Sequence, residues 1–352
     1  MITNLVKIFL PTTIAFIVGI LFTPLATHYF YKYKMWKKKV RNTEDDISLA
    51  FKAIHEKKEQ TEVSTPCVGG IIIWVSVLFT ILLFFILALI FPNDIFTKLN
   101  FLSRSQTFIP LTLFILGSIL GLIDDILEIN GKSNITRDSN WYTKLKISII
   151  VAFGLIAGYW FFFKLGMSSI HIPFDGSWQL GIFIIPFVVL VMLGTFSGGV
   201  IDGIDGLSGG VLAAIFGSYT FIAFTHNQID LATFSGVITG AILAFLWFNI
   251  PPARFYMGET GMMPLTITLA TIAFLTDTVL ILPIIAFALV ATSLSSSIQM
   301  FSKKYFGKKV FLVAPLHHHF EALGWPTYKI TMRYWVLSIM FAIIGIILAT
   351  IS

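Results

Sequence analysis

The chain has little charge and almost no cysteine. Only 12% of its 352 residues are Asp, Glu, Lys or Arg, whereas 56% are hydrophobic. That composition excludes an ordinary soluble globule and predicts a protein that crosses a membrane several times. The single cysteine, Cys67, excludes an internal disulfide. The apolar stretches are continuous rather than alternating, which argues against a transmembrane sheet barrel.

The excess of basic residues does not indicate a nucleic-acid partner. There are 24 Lys and Arg residues against 18 Asp and Glu residues, but they fall in loops that flank apolar runs. Basic residues in such loops act as topology signals and contact anionic lipid or phosphate. We therefore expect the lipid bilayer as the surroundings of the chain and no nucleic acid.

Ten apolar runs predict an all-α integral membrane protein with about ten transmembrane helices. The division between the eighth and ninth runs depends only on Asp277 and its neighbours. No separate soluble domain is evident, so residues 1–352 are expected to form a single polytopic membrane domain. The segment 168–180 alternates partly around Asp175-Gly176, which predicts a short β-hairpin. The predicted spans are 5–31, 68–92, 107–123, 147–164, 181–197, 207–225, 233–249, 260–276, 278–300 and 331–351.

The distribution of Lys and Arg predicts the orientation of these spans. Twenty of them lie in loops on one side, and four lie on the other. Loops rich in Lys and Arg face the cytoplasm, so both termini are expected to be extracytoplasmic. The loops then expected at the cytoplasmic face are those near 32–67, 124–146, 198–206, 250–261 and 301–330. The four basic residues expected on the outer side are Lys7, Lys98, Arg104 and Lys164.

Five carboxylates stand in short breaks between the apolar runs, on the expected cytoplasmic side. A charged carboxylate at the centre of a bilayer costs about 2.5–3.5 kcal/mol, so these groups should lie at the membrane surface. Two carboxylates ~5 Å apart repel by roughly 3 kcal/mol at an effective dielectric constant of ~20. A divalent cation would relieve that repulsion, and Mg²⁺ prefers oxygen ligands. The five are Asp124, Asp125, Asp202, Asp205 and Glu259.

Two aspartate motifs carry four of these acids. In GLIDDILE, residues 121–128, the adjacent aspartates would point about 100° apart on a helix, so that one could bind a metal while the other meets a substrate. In GGVIDGIDGLSGG, residues 198–210, Asp202 and Asp205 would share a face of a helix. The flanking glycines would let the backbone approach a ligand and expose N–H groups to phosphate. A solvated helix end and a glycine packing surface remain open as alternatives.

Two further motifs bring groups that recognise phosphate, sugar or base. NIPPARFYMGETG, residues 249–261, offers Asn249 for hydrogen bonds, Arg254 for phosphate and Tyr256 for stacking on a base. PLHHHFE, residues 315–321, presents three consecutive imidazoles to phosphate or sugar oxygens. An ordinary interhelical loop remains the alternative for the first motif, and a surface loop with incidental histidines for the second. A zinc site at the histidines is also open, but no cysteine and no histidine pair at helical spacing supports it.

These four motifs, in this order, resemble those of the polyprenyl-phosphate N-acetylhexosamine-1-phosphate transferases. PLHHHFE followed by Gly324-Trp325 is similar to the phospho-N-acetylmuramoyl-pentapeptide transferase branch of that superfamily. STPCVGG at 64–70 resembles the TPTMGG stretch of the same branch. The resemblance runs from about residue 60 to residue 350. PLHHHFE is highly specific, whereas the aspartate motifs are specific only to the superfamily.

The resemblance implies an Mg²⁺-dependent transfer at the cytoplasmic face of the bacterial inner membrane. Undecaprenyl phosphate would attack the β-phosphate of UDP-MurNAc-pentapeptide, giving lipid I for peptidoglycan synthesis and releasing UMP. Asp124, Asp125 and Asp202 would be catalytic, and Glu259 would bind metal together with Asp202. Small-residue helix faces would also support a homodimer. The substrate-binding residues implied are Asp205, Asn249, Tyr256, Lys144, His317, His318 and His319.

The chain departs from the family pattern at the site itself. Glu128 stands where the family usually has Lys, Gly199 where it has Asn, and Glu259 where it has Asp. Glu59 and Glu62 stand where Lys or His is usual. A displacement of a reacting group by ~1 Å can cost about 100-fold in rate. These departures keep open a transferase for another UDP-sugar and an inactive paralogue that binds lipid phosphate. A transporter would need its acids at mid-membrane depth, and here they lie at loop edges.

Overall fold

The structure is a computed structural model that describes residues 2–36, 64–131 and 140–351. The expectations about Glu59 and Glu62, most of the loop 32–67 and part of the loop 124–146 lie outside the described residues. The described chain is a bundle of helices with one small sheet. This confirms the prediction of a mainly helical fold.

The first half of the chain contributes six helices and the only sheet in the described residues. After Tyr159 a long helix widens into a π-helical turn, Trp160–Lys164. Strands β1 (Ser169–Ile172) and β2 (Gly176–Gln179) pair antiparallel with Ile170 opposite Trp178, which confirms the predicted hairpin. The helices are α1 (Ile2–Lys32), α2 (Gly70–Ile90), α3 (Asp94–Leu99), α4 (Phe108–Ile129), α5 (Asn140–Tyr159) and α6 (Ile184–Ser197).

The second half contains the most deeply buried helices. A 3-10 turn, Gly198–Ile201, follows α6. Every residue from Thr260 to Leu275 is buried, so the helix that contains them, α9 (Gly258–Leu275), forms the centre of the bundle. The helices are α7 (Leu207–Thr225), α8 (Ile229–Asn249), α9 (Gly258–Leu275), α10 (Leu282–Ile285), α11 (Phe287–Phe306), α12 (Leu316–Ala322) and α13 (Thr327–Ile351).

Nine helices in the described part of the chain are long and apolar enough to cross a membrane. They coincide with nine of the ten predicted spans. The predicted span 278–300 is not among them, because a turn and the four-residue helix α10 occupy its first part. The rest belongs to α11, which has four serines in its middle, at 293 and 295–297, and ends with Lys303 and Lys304 in its last turn.

Two glycines one helical turn apart on α4 allow it to lie directly against α9. A Cβ added to Gly117 would lie 2.9 Å from the Cα of Pro264. A Cβ added to Gly121 would lie 2.2 Å from the carbonyl oxygen of Glu259. Small residues at this spacing let two membrane helices approach closely. The contact brings the end of α4, with its two aspartates, to the first turn of α9.

Three of the five acids lie on helix ends rather than in loops. The fourth helix continues past the predicted end at residue 123 to Ile129, so that Asp124 and Asp125 are both helical. Glu259 lies in the first turn of α9. Partners on neighbouring elements allow these acids to stay within the helical bundle.

Candidate active site

Asp125 holds the first turn of α9 in place. Its carboxylate accepts hydrogen bonds from the backbone N–H of Glu259 (3.1 Å) and of Thr260 (2.8 Å), and from the Thr260 hydroxyl (2.6 Å). The side chain is almost completely buried, as Asp125 is 2% exposed. Free N–H groups at a helix start favour a negative charge. The carboxylate of Asp125 therefore caps α9 from the neighbouring helix.

Asp124 points in a different direction and meets a lysine. The Nζ of Lys146 donates to Oδ2 of Asp124 at 2.9 Å and to Oε1 of Glu259 at 3.3 Å. The hydroxyl of Tyr142 is also hydrogen-bonded to Asp124. One ammonium group thus joins two carboxylates that come from different helices. The divergence of the two aspartates agrees with the prediction from helix geometry.

Lys146 was missed by the sequence analysis, which selected Lys144 instead. Lys144 is exposed, whereas the side chain of Lys146 is 18% exposed and lies between the two acids. Tyr142 and Lys146 are four residues apart on α5 and so face the same direction. The sequence feature that could have indicated Lys146 is the i, i+4 spacing of a tyrosine and a lysine at the start of an apolar helix.

The prediction that Asp202 and Asp205 share a helix face is wrong. The 3-10 turn ends at Ile201, and α7 begins only at Leu207, after Gly206 with a φ of 73°. Asp202 accepts hydrogen bonds from the Ser208 hydroxyl at 2.7 Å and from the N–H of Gly258 at 3.1 Å. Neither aspartate therefore lies in a helix, and the carboxylate of Asp202 bonds to the start of α9 whereas that of Asp205 bonds to the loop before it.

Asp205 and Asn249 connect the second and third motifs. Asp205 accepts a hydrogen bond from the N–H of Ala253 at 3.1 Å. Asn249 is buried; its Oδ1 accepts from the N–H of Gly206 at 2.9 Å and its Nδ2 donates to the carbonyl of Phe255 at 2.8 Å. The amide of Asn249 therefore fixes two loops against each other in this conformation.

The segment 64–70 pairs with the third motif along its backbone. The N–H of Tyr256 donates to the carbonyl of Pro66, and the carbonyl of Tyr256 accepts from the N–H of Gly69, both at 2.8 Å. Gly258 has a φ of 67°, and a Cβ there would lie 2.0 Å from the carbonyl oxygen of Cys67. The motifs STPCVGG and NIPPARFYMGETG thus form one wall, with Tyr256 half-buried within it.

The histidine motif lies against the second aspartate motif. A Cβ added to Gly203 would lie 2.6 Å from the Nε2 of His317 and 3.1 Å from that of His318. His318 also pairs with Glu321 through Nδ1. His319 faces elsewhere, since its Nδ1 accepts a hydrogen bond from the N–H of Leu312 at 3.2 Å. The structure brings two of the three histidines to the aspartate loop.

Residues of α11 and α13 position these loops. The N–H of Leu316, at the start of α12, donates to the hydroxyl of Ser295 on α11 at 2.9 Å. The Thr331 hydroxyl and the Trp335 indole of α13 donate to the carbonyls of Asp205 and Gly206, each at 3.0 Å. Helices distant in sequence therefore set the relative positions of the second and fourth motifs.

The residues that depart from the family pattern differ in their surroundings. A Cβ added to Gly199 would have only the Cβ of Met262, at 3.9 Å, within 4 Å among the described residues. The Asn usual in the family therefore has room for its first carbon at this position. Glu128 lies in the last turn of α4, half-buried. Glu259 is the departure that touches the acid cluster, through Lys146.

The donor chemistry of the site suits Mg²⁺ only in combination with a ligand. Among the described residues, no group of three or more His, Cys, Asp or Glu side chains is arranged to hold a metal. Mg²⁺ is commonly bound by one or two carboxylates together with waters and substrate phosphates. Asp202 bonds to the backbone N–H of Gly258, which immediately precedes Glu259. Carboxylates such as these two are the type of ligand that a metal accepts when phosphate oxygens and water supply the rest.

Known proteins match the chain over most of its length. Residues 107–277 match the family described as Glycosyl transferase family 4. A phospho-N-acetylmuramoyl-pentapeptide-transferase of Anoxybacillus flavithermus is 35% identical over 293 residues, covering 82% of this chain and 85% of the relative. A protein of that name from Bacillus mycoides is 31% identical over 336 residues, covering 95% of each.

Proposed function

The chain belongs to the phospho-N-acetylmuramoyl-pentapeptide-transferase family, and on that premise we propose that it transfers phospho-MurNAc-pentapeptide from UDP-MurNAc-pentapeptide to undecaprenyl phosphate. The products are lipid I and UMP, and the step belongs to peptidoglycan synthesis. The observation that carries the proposal is the convergence of Asp124, Lys146 and Glu259 at the start of α9, beside the loop of Asp202. These charges come from four different parts of the chain.

The chemistry of phosphoryl transfer suits such a cluster. Catalysis of this reaction depends mainly on positioning the reactants and stabilising the charge that develops. A lipid phosphate with a second pKa of ~6 is largely ionised at pH 7, so it can attack without a strong general base. Asp124 is proposed to orient the lipid phosphate through Lys146, whose ammonium group would offer positive charge to a phosphate oxygen.

The remaining residues divide between binding and positioning. His317 and His318 lie beside Gly203 and are proposed to donate to pyrophosphate or sugar oxygens. Tyr256 is proposed to pack on uracil, and Lys144 and His319 to contact the substrate at the edge of the site. Asp125, Asp205 and Asn249 act through the backbone segments that they fix.

Mg²⁺ is proposed as the metal, held by Asp202 and Glu259 with phosphate oxygens. Bound there, it would neutralise the pyrophosphate and stabilise the leaving UMP. Asp202 keeps its carboxylate oriented by bonds from Ser208 and Gly258, so the same side chain would present its remaining lone pairs to the metal. The basic loops support a location in the bacterial inner membrane with this site at the cytoplasmic face, and small-residue helix faces support a homodimer.

The proposal is tested by UMP release from purified full-length protein supplied with UDP-MurNAc-pentapeptide, undecaprenyl phosphate and Mg²⁺. We expect release that stops with EDTA, returns with excess Mg²⁺ and falls at least 100-fold in Asp202→Asn, because the amide keeps one oxygen but loses the negative charge that binds the metal. Asp94→Asn makes the same chemical change at an exposed residue far from the site and should keep full activity.

Two other results would contradict the proposal in different ways. Release with UDP-GlcNAc but not with the muramoyl donor would assign another sugar to the same chemistry. No release with either donor, while a related enzyme is active under the same conditions, would indicate a binding protein without turnover.

A second prediction concerns the longer acid at position 259. Glu259→Asp would withdraw the carboxylate by one methylene and break its 3.3 Å contact with Lys146. We expect UMP release to fall by up to about 100-fold, as for a ~1 Å displacement. Glu259→Gln keeps the length but removes the charge, and should raise the Mg²⁺ concentration needed for half-maximal rate. Unchanged kinetics in both variants would remove Glu259 from the metal site.

A further inference from the structure

A pocket lies at the end of the bundle away from the candidate active site. Its volume is about 290 Å³, and it is lined by Ser103, Arg104, Ser105, Trp160, Lys164 and Leu165. Arg104 precedes α4, and the first residue of that helix, Phe108, lies roughly 24 Å along it from Asp124. Lys164 follows α5, whose other end carries Lys146. The pocket is therefore independent of the charged cluster described above.

The two cations of this pocket differ from the other basic residues at the same end. Lys7 pairs with Asp230 at 2.6 Å, and Lys98 lies 3.8 Å from Asp94. Neither Arg104 nor Lys164 has a carboxylate within ion-pair distance among the described residues. Two positive charges that are not paired with a carboxylate thus share one cavity. They are two of the four basic residues expected on this side of the membrane.

Two well-defined backbone turns hold the residues that line the pocket. Thr107 is fully buried; its hydroxyl accepts from the N–H of Ser103 at 2.8 Å and contacts the carbonyl of Phe101 at 3.2 Å. This fixes the turn that carries Arg104 and the two serine hydroxyls. Trp160 and Lys164 begin and end the π-helical turn, a rare geometry that is frequent at functional sites.

The surroundings of the pocket are those of a membrane–water interface. The Arg104 guanidinium lies 5.8 Å from the centre of the Trp160 ring, and Phe108 packs on the same ring at 5.0 Å. Tyr159 and Phe163 beside it are more than half exposed. Tryptophan and tyrosine are enriched at the level of lipid headgroups, where basic side chains contact anionic lipids.

We propose that this pocket binds the phosphate of an anionic phospholipid headgroup, in the leaflet opposite the candidate active site. Arg104 and Lys164 would contact the phosphate oxygens, and the hydroxyls of Ser103 and Ser105 would donate to the same group. The acyl chains would lie along the exposed apolar side chains of α4 and α5. The bound lipid would link the start of α4 to the end of α5. The other ends of these two helices carry Asp124 and Lys146.

The test uses full-length protein in phosphatidylcholine vesicles that contain phosphatidylglycerol with a photoactivatable headgroup. After illumination, mass spectrometry maps the crosslinks on peptides that cover 103–108 and 160–165. We expect crosslinks there, and a loss of about fivefold in yield for Arg104→Gln and for Lys164→Gln, the effect of removing one cation near a lipid surface. Lys98→Gln removes one charge at the same end and should leave the yield unchanged.

The other outcomes decide the nature of the ligand. Equal yields in Arg104→Gln, Lys164→Gln and Lys98→Gln would overturn the site. Equal crosslinking when the photoactivatable group is on phosphatidylcholine would show that headgroup charge is not recognised. Loss of the crosslink on addition of millimolar inorganic phosphate would assign the pocket to free phosphate instead of lipid. Because the readout is a crosslink and not UMP release, it does not depend on the proposed catalytic function.

Discussion

Lys146→Met should reduce UMP release by about 10²- to 10³-fold, the loss typical when one preorganised charge partner is removed from an active site. The Nζ of Lys146 lies within hydrogen-bond distance of both Asp124 and Glu259. Without it, two carboxylates separated by ~5 Å would repel by roughly 3 kcal/mol at an effective dielectric constant of ~20. One of the two carboxylates would turn away or become protonated. The substrate phosphate would also lose its contact with the Lys146 ammonium group. Single-turnover rates at saturating Mg²⁺ measure the effect.

Three further variants separate charge from shape and from position. Lys146→Arg keeps the positive charge in a wider group and should restore part of the rate. Lys144→Met, two residues away and exposed, tests the lysine that sequence comparison alone selects. Lys98→Met controls for the loss of one positive charge at the other end of the bundle. A larger loss in Lys144→Met than in Lys146→Met would contradict the assignment of the bridging role.

The helical membrane fold could be predicted from sequence because composition decides it. Continuous apolar runs have one stable arrangement in a bilayer, since all backbone groups must be hydrogen-bonded within the helix. The hairpin at 168–180 could be predicted from its alternation around Asp175-Gly176. The span at 278–300 could not, because its apolar residues are divided by Ala286 between a four-residue helix and a serine-rich one.

The candidate site was predictable in its members but not in their arrangement. The acids are identified by the free-energy cost of a charged side chain within an apolar, membrane-spanning chain. The directions of their side chains, however, depend on partners from other helices. Asp202 and Asp205 have the spacing of residues on one helix face, yet the helix begins only after Gly206, which has a positive φ. The side chain of Asp202 bonds to Gly258, and that of Asp205 bonds to Ala253. The role of Lys146 could not be predicted, because a lysine near the start of a helix is common. Only the packing of α4 on α9 brings Asp124 and Glu259 to it.

Asp125→Asn should lower the thermal stability of the protein and abolish most of its UMP release at once. The Asp125 carboxylate accepts three hydrogen bonds from Glu259 and Thr260 while almost fully buried. An amide has only one acceptor oxygen, so its NH₂ group would face a donor. A buried donor without an acceptor costs about 1–3 kcal/mol, and the loss of the negative charge at the helix start adds about 0.3–1 kcal/mol.

The loss of activity follows from the position of the cap rather than from chemistry at Asp125. Glu259 is fixed by the same helix turn, so a shift of ~1 Å there would misplace the acid that Lys146 joins to Asp124, at a cost of about 100-fold in rate. Thr260→Val removes one of the three bonds and Thr260→Ser retains it, so the pair isolates a single hydroxyl. If Asp125 acts through the helix start, Thr260→Val should lower both the melting temperature and the rate, and Thr260→Ser should restore both. If Asp125 instead touches the substrate, Asp125→Asn would abolish turnover at an unchanged melting temperature, and Thr260→Val would remain active.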